Sequence, residues 1–382
     1  MRIAHFIKYF QPKLGYQETY LAKEQLKDGH DVAVFTSDRL FKFKDFDKVF
    51  GEILGDRIKC EGKFQEEGIT TYRYKPVFEM RSQVKFKNNI YKSIEKWNPD
   101  VLIVHGVSSF NAFIISKKFK GKFKIIYDDH IGGLYEISYF HKIYYSIYRK
   151  LFKKNIEDSA SSIIGVTKLS TGFLEQELGF SSSKINYVPL GIDTDIFQYK
   201  KTKSDEIRKR HSIPIDSVVG IYSGKIRAVK GINELIDSLN ILFKKRSNFH
   251  FLFVGDGDQN IIDRLKKTLP DDRFALVPFM NHEELSKYFS AADFAIWPKM
   301  GSISQLEAMA CQTALVLPKI RSERLAYSNG LALNDSTEEE IIDKILVLID
   351  NPSDLERQKK NSEDAGKKFD WEYINKEFLK NI

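Results

Sequence analysis

Cysteine is nearly absent: the 382 residues hold two, Cys60 and Cys311. They lie far apart and outside any metal-ligand spacing, which argues against a disulfide framework and a zinc site. Long apolar runs are missing as well. Stretches such as Val101–Val104 and Ala314–Leu317 fall far short of the roughly 18 residues that span a bilayer. No leader-like apolar core follows the strand-like start Arg2–Ile7, so a reducing, cytoplasmic setting is expected. Low-complexity sequence is limited to brief serine runs such as Ser181–Ser183.

What remains is the composition of a folded protein, 42% hydrophobic and 29% charged, which excludes long disorder and collagen-like repeats. The length predicts two or three domains. Sixty basic against 52 acidic side chains give a net charge of +8. The excess is one-sided. Residues 1–200 hold 32 basic and 24 acidic side chains, and residues 201–382 hold 28 of each. Residues 81–154 alone hold 15 against 5. Such a bias concerns partners rather than fold, and it predicts an anionic ligand or surface for the first half.

Strand and helix signals alternate along the chain. The first series predicts strands at Ile3–Ile7, Val32–Phe35, Val101–Val104, Phe123–Tyr127, Ser162–Val166 and Ile185–Val188, with helices at Gln17–Lys27 and Lys168–Leu178. Gly29 ends the first helix as a C-terminal cap. Residues Thr194–Asp216 are charged and aperiodic, and read as an interdomain connection. A second series starts at Val218–Tyr222 and runs to Ala314–Leu317, followed by a helical tail, Thr337–Asp350 and Asp354–Ile382. The strands are near-continuous apolar runs, the pattern of a parallel sheet buried on both faces. The expected fold class is α/β, with two doubly wound sheets, whose ligands bind at the carboxyl ends of the strands.

Five loops at such ends carry candidate chemistry. Pro12–Glu18 places Gly15 before a helix N-terminus, where free N–H groups suit an anion. Tyr127–Gly133 places His130 after a buried strand, where it can hydrogen-bond or move a proton near neutral pH. Ser223–Gly231 combines Gly224, Lys225, Arg227, Lys230 and Gly231, a set suited to a diphosphate but without the spacing of a P-loop. Gly255-Asp256-Gly257-Asp258 either cradles a nucleotide edge or only turns the chain. Gly301-Ser302-Ile303 leads into a helix with Ser302 as the expected N-cap, and Glu307 lies one turn further, placed to accept two hydrogen bonds from a ribose diol.

Together these segments resemble the retaining family-four glycosyltransferases, which have the GT-B fold of two facing Rossmann-like domains. The resemblance is carried by the Pro-x-x-Gly loop with Glu18, "LKDGHDVAVFT" (26–36), "NPDVLIVHG" (98–106), "VPLGIDTDIF" (188–197), "GKIRAVKG" (224–231), "FLFVGDGD" (251–258) and "LEAMAC" (306–311). Nothing comparable is found in residues 37–97. The resemblance implies an acceptor-side domain at 1–195, a donor domain at 196–365, and a helix, 366–382, returning to the first. Lys225 and Lys230 fall on the cations of the donor diphosphate, Glu307 on the carboxylate holding the ribose, and Gly15 near the diphosphate. His130 falls on the histidine near the donor sugar. Gly224, Gly255, Gly301, Ser302 and Ile303 complete the donor-binding set, with Phe279 in the region of the nucleotide base. Three positions depart from the pattern. Lys299 replaces the first glutamate of a pair with seven residues between its members, the second being Glu307, and becomes the sugar-side candidate. Tyr16 and Gln312 stand where glycines are usual.

The implied reaction moves a sugar from a UDP- or GDP-linked donor to an anionic, glycan or lipid-linked acceptor, with no metal and no cofactor expected. Lys299 keeps a non-catalytic sugar-nucleotide-binding subunit as an alternative, and the shared architecture keeps a nucleotide-sugar epimerase as another. A nucleic-acid partner is not expected, because no nucleic-acid module signature accompanies the charge. Aromatic and basic residues interleave over 135–154, from Tyr135 through Arg149, Lys150, Lys153 and Lys154. That mixture predicts contact with the inner face of a cell membrane.

Overall fold

Short apolar runs separated by amphipathic helices fold into parallel sheets covered on both faces. In a computed structural model, residues 1–42, 46, 51–80, 83–130 and 139–382 are described. Two units result. Unit 1 comprises Met1–Leu190 and Trp371–Ile382, and unit 2 comprises Gly191–Asp370. The sequence had placed the divisions at 195 and 365. By the structural division unit 1 holds 33 basic and 24 acidic side chains, so the positive excess lies there.

Unit 1 is built on β1 (Arg2–Phe6), β2 (Asp31–Ser37), β3 (Gly62–Glu66), β4 (Ile69–Tyr74), β7 (Val101–His105), β8 (Lys124–Asp129), β9 (Ala160–Gly165) and β10 (Ile185–Tyr187). A separate hairpin pairs β5 (Phe78–Met80) with β6 (Gln83–Lys85). The sheet order is β10-β9-β8-β7-β1-β2-β4-β3. All pairs are parallel except β3 with β4. Strand order reverses between β1 and β7, which makes their carboxyl ends the topological switch point. One face carries Phe6, Phe35, Leu102 and Val104; the other carries Ile3, Val101, Ile103 and Ile126. The helix Trp371–Leu379 closes the second face. Trp371 stacks on Tyr20 at 5.1 Å, and Asn375 donates to Asp28.

Unit 2 is built on β11 (Val218–Ser223), β12 (Phe249–Val254), β13 (Phe274–Val277), β14 (Phe294–Ile296), β15 (Ala314–Pro318) and β16 (Gly330–Leu333). Its order is β13-β12-β11-β14-β15-β16, with a second switch point between β11 and β14. All six strands pair in parallel.

Two sequence expectations are corrected here. Residues 194–216 are not a bare connection. They include a helix, Lys201–Arg210, that buries Ile207 and ties Arg208 to Asp293 in unit 2. Only one narrow face of that helix is apolar, which hides its period. Residues 37–97, unremarkable as sequence, supply the β3–β4 edge and the separate hairpin. Gln312 explains why glycine is usual at its position. Its φ is 63°, in the left-handed region, and its amide donates to Glu363 at 2.9 Å.

Candidate functional site

Each unit gathers polar groups at its switch point. In unit 2 the loops after β11, β12 and β14 approach so closely that side chains are excluded. Gly224 and Gly255 have φ of 141° and 138°. A Cβ on Gly255 would stand 2.1 Å from the Gly224 carbonyl oxygen, and one on Gly257 would stand 1.9 Å from that of Ile226. A Cβ on Gly231 would meet Pro298 at 2.7 Å and Lys299 at 3.0 Å. Trp297 Nε1 donates to Ser223 O at 2.8 Å, which fastens the end of β14 to the end of β11.

This frame brings Gly224, Lys225, Lys230, Gly255, Lys299 and Gly301 into one region of unit 2. Lys225 is exposed, and its carbonyl is held by the Tyr222 hydroxyl at 2.8 Å. Lys230 is half-buried. Burial, with the Arg227 charge, pulls its ammonium below the usual lysine range. Phe279 is 75% exposed, while its N–H donates to Asp256 at 3.2 Å. Such a ring is free to stack on a flat ligand.

Glu307 is buried, not a surface carboxylate. Burial pushes its carboxyl up to about 7, against a Ser304 hydrogen bond and the Arg324 charge. The expected N-cap is corrected. The helix Ser304–Ala310 starts after Ile303, and Ser302 Oγ only accepts from Ser304 N at 3.3 Å. Gly301, Ser302 and Ile303 lie immediately ahead of this helix. The Arg321 guanidinium lies against Gly301, with Nε 2.9 Å from where a Cβ would stand.

Sequence reasoning did not single out Arg321 or Glu234. Arg321 is buried, and its Nη1 has no hydrogen-bond partner. Glu234, at the start of the helix Ile232–Lys245, pairs with Lys299 Nζ. No sequence signal links residues 234 and 299; the close approach at Gly231 does.

Gly15 and His130 belong to unit 1. Gly15 takes φ 64° at the end of a short 3-10 turn, Pro12–Leu14, and leads into the helix Gln17–Lys27. Glu18 in its first turn is buried. That burial raises its carboxyl, opposed by the charges of His105 and His130. His130 Nε2 stands 3.1 Å from Asp128 Oδ2 and keeps 29% side-chain exposure. Burial pulls its pKa down, yet the Asp128 carboxylate, with Glu18 and Asp129, raises it to about 9. Asp128 is fully buried. Desolvation pushes its carboxyl up, but His105 and His130 outweigh this and hold it well below the usual carboxylate range. The rest of the Tyr127–Gly133 loop, from Ile131, and Tyr135 lie outside the described residues.

Behind Asp128 the polar chain continues. His105 Nδ1 lies 2.6 Å from Asp128 Oδ2, His105 Nε2 lies 3.0 Å from His5 Nδ1, and His5 Nε2 lies 2.8 Å from Gln25 Oε1. His5, His105 and Asp128 sit at the ends of adjacent strands, where register sets His105 opposite Asp128, and Gln25 reaches them from the helix Gln17–Lys27. The sequence signal was a histidine or aspartate interrupting or ending an apolar strand. His105, Asp128 and His130 also offer possible metal-ligand atoms within 4.8 Å of one another. The His105 and Asp128 atoms already bond each other, and His130 Nε2 stands within ion-pair distance of the same carboxylate oxygen, so the set reads as a chain of polar contacts.

Comparison with known proteins supplies the family. The family described as Glycosyltransferase Family 4 matches residues 19–196, and that described as Glycosyl transferases group 1 matches residues 203–365. A Bacillus subtilis protein named for teichuronic acid biosynthesis, TuaC, is 30% identical over 149 residues, 39% of this chain and 35% of its own length. The lipopolysaccharide 1,2-N-acetylglucosaminetransferase of Salmonella typhimurium is 24% identical over 190 residues, 47% of each chain. The matched segments thus span less than half of these relatives. Among solved structures, a glycosyltransferase from Rickettsia africae aligns over 99% of this chain and 97% of its own, with TM-score 0.72 and 15% identity. HepE of Anabaena in complex with UDP aligns over 100% and 99%, with TM-score 0.71 and 14% identity. At such identities these structures establish the fold alone. With one family match on each half and this shared architecture, the chain belongs to the GT-B glycosyltransferases of group 1.

Proposed function

We propose that the protein is a retaining glycosyltransferase. It moves a sugar from a UDP- or GDP-linked donor to a glycan or lipid-linked acceptor in cell-surface polysaccharide or glycolipid assembly. The observation that carries this reading is the β11/β14 switch point of unit 2. There Lys225 and Lys230 stand beside glycine backbone too tight for any side chain. Breaking the anomeric carbon–oxygen bond builds negative charge on the departing diphosphate. Fixed cations and backbone N–H groups stabilise that charge more in the transition state than in the bound donor. Glu307 holds the ribose, Phe279 covers the base, and His130 positions the donor sugar. The chain's own cations carry the leaving-group charge, so the reading requires no metal.

The relatives support the acceptor class by their names, which include a lipopolysaccharide N-acetylglucosaminetransferase and an alpha-monoglucosyldiacylglycerol synthase. HepE has been solved with UDP and with UDP-glucose, which favours a UDP-linked donor.

Membrane-surface contact is part of the same reading. The helical run from Tyr139 to Ser159 turns Tyr148, Ile156 and Ser159 inward. Tyr139, Ile143, Ile147 and Leu151, four residues apart, are exposed, with exposed Lys142, Lys150 and Lys154 alongside. An apolar stripe edged by lysines suits an anionic interface. The described aromatics contribute less to it than the sequence implied. Tyr148 donates to Val107 O, and Phe152 packs on Phe113 at 4.5 Å. Among the described residues no helix is long and apolar enough to cross a membrane.

The test is a thermal-shift panel of nucleotide diphosphates and sugar nucleotides, followed by product analysis of the anomeric configuration. Stabilisation by one sugar nucleotide with turnover that retains configuration supports the reading, and no response to any of them overturns it. Stabilisation without turnover would favour the non-catalytic binding subunit, for which Lys299 at a carboxylate position is the supporting observation.

A further inference from the structure

Unit 1 contains a polar column with no counterpart in the packing around it. Gln25 on the helix Gln17–Lys27 is buried beside His5, His105 and Asp128, which lie on three adjacent strands of the sheet. His5 and His105 rings stack at 5.3 Å and 12°, and His105 meets the His130 ring edge-on at 6.1 Å. Buried polar groups are costly unless every link is made. Here hydrogen bonds run from Gln25 on the helix Gln17–Lys27 through His5 and His105 to Asp128, and His130 Nε2 stands 3.1 Å from that carboxylate as an ion pair.

The row has a direction. The Asp128 carboxylate can only accept, so His105 Nδ1 carries a proton and donates to it. Asp128 Oδ1 is taken by Gly106 N at 3.1 Å, which fixes the carboxylate plane. His105 Nε2 then exchanges one proton with His5 Nδ1, and His5 closes on the Gln25 amide. Either orientation of that amide gives a consistent row ending on the same His105 Nδ1–H donor. Burial, with the nearby His105 charge, pulls the His5 pKa down to about 3. His5 is therefore neutral at physiological pH and serves as a relay of hydrogen bonds rather than of charge.

We propose that Gln25, His5 and His105 are positioning residues that lock the Asp128 carboxylate beneath His130, and so present the His130 ring to the substrate in one orientation. This rests on the reading that His130 serves the donor sugar. The charged groups facing His130 among the described residues are Asp128 and Asp129 from the end of β8 and Glu18 from the start of the helix Gln17–Lys27, with His105 behind Asp128. The acidic majority keeps the ring protonated and able to donate to a sugar hydroxyl or to a departing oxygen.

The experiment uses the full chain with 13C,15N-labelled histidines and follows imidazole shifts by NMR from pH 5 to 10, with steady-state kinetics alongside. The wild type is expected to show His105 protonated at Nδ1, His5 neutral throughout, and His130 titrating near pH 9. Asp128→Asn should return the His130 midpoint toward about 6.5. His5→Phe, which breaks the row, should lower kcat about 10- to 100-fold with donor KM unchanged. His5→Asn, which keeps a polar group opposite His105 Nε2, should recover most of that loss. Should His5→Phe fail to fold, His5→Asn and Asp128→Asn still decide the matter. A His130 midpoint near 6.5 in the wild type overturns the proposal. So does a folded His5→Phe whose kcat and His130 midpoint are both unmoved. If no sugar nucleotide is turned over, the transferase reading fails while the NMR arm still judges the row.

Discussion

Lys299 Nζ is paired with the Glu234 carboxylate, so the cation that interrupts the family's glutamate pair is partly neutralised by a carboxylate one helix away. Lys299 follows β14, and Glu234 lies in the first turn after Gly231; the two chain segments meet where a Gly231 Cβ would stand 3.0 Å from Lys299 Cγ. The pair is partly exposed, and such pairs contribute about 0–1 kcal/mol. Lys299→Ala is therefore expected to change the urea-unfolding free energy by less than about 1 kcal/mol. Exchanging the charges, Lys299→Glu with Glu234→Lys, should keep the pair and alter the donor-sugar preference without altering nucleotide diphosphate affinity. Unchanged preference in a two-donor competition assay removes residue 299 from the sugar site.

Lys230 and Lys225 separate by their surroundings. A charge-assisted hydrogen bond contributes about 1.5–3 kcal/mol, and desolvation strengthens it. Half-buried Lys230→Ala should weaken diphosphate binding by about 10- to 100-fold. Exposed Lys225→Ala should cost less, and its effect should shrink as salt rises. Titration calorimetry at low and high salt gives both numbers.

Glu307 links stability to pH. Its folded carboxyl is raised from 4.5 to about 7, so the folded state holds the proton more tightly than the unfolded chain. The stabilising difference is full below about pH 4.5 and is lost as pH rises through about 7. A shift of that size corresponds to about 3 kcal/mol. Relative to Glu307→Gln, the wild type should lose stability between pH 5 and 7.5, as read by melting temperature. Parallel curves for the two proteins would contradict it.

Gly255→Ala tests the glycine frame. Its φ of 138° and the 2.1 Å approach of the Gly224 carbonyl leave no room for a methyl group. Destabilisation of about 3 kcal/mol or more is expected, since positive φ and a backbone clash add. Gly172→Ala, where nothing lies within 4 Å of the added carbon, is the control and should not lower the melting temperature. Chemical denaturation compares them.

The exposed stripe on the 139–159 helical run predicts flotation with anionic liposomes at low salt. Ile143→Ser with Ile147→Ser should abolish it, and Lys150→Glu with Lys154→Glu should reduce it while leaving the melting temperature within a few degrees. Equal flotation by all of these proteins would exclude the stripe from membrane contact.

The sequence by itself determined the layering and most of the donor side. Apolar runs such as Val101–Val104 and Phe249–Val254 can be buried on both faces only in a parallel sheet. Cations and glycines at a strand end, as in Ser223–Gly231, carry their chemistry in local order. The helix Gln17–Lys27 was bounded from its pattern alone. Tertiary structure decided the rest, because pairing across strands is non-local. Register placed His105 opposite Asp128, and close packing brought Lys299 to Glu234. The seven-residue start at Ser304 removed the expected Ser302 cap. The first two outcomes depend on which distant segments share a strand end, the third on the local start of a helix. Residue identity set what each side chain could do; the order of strands set which of them met.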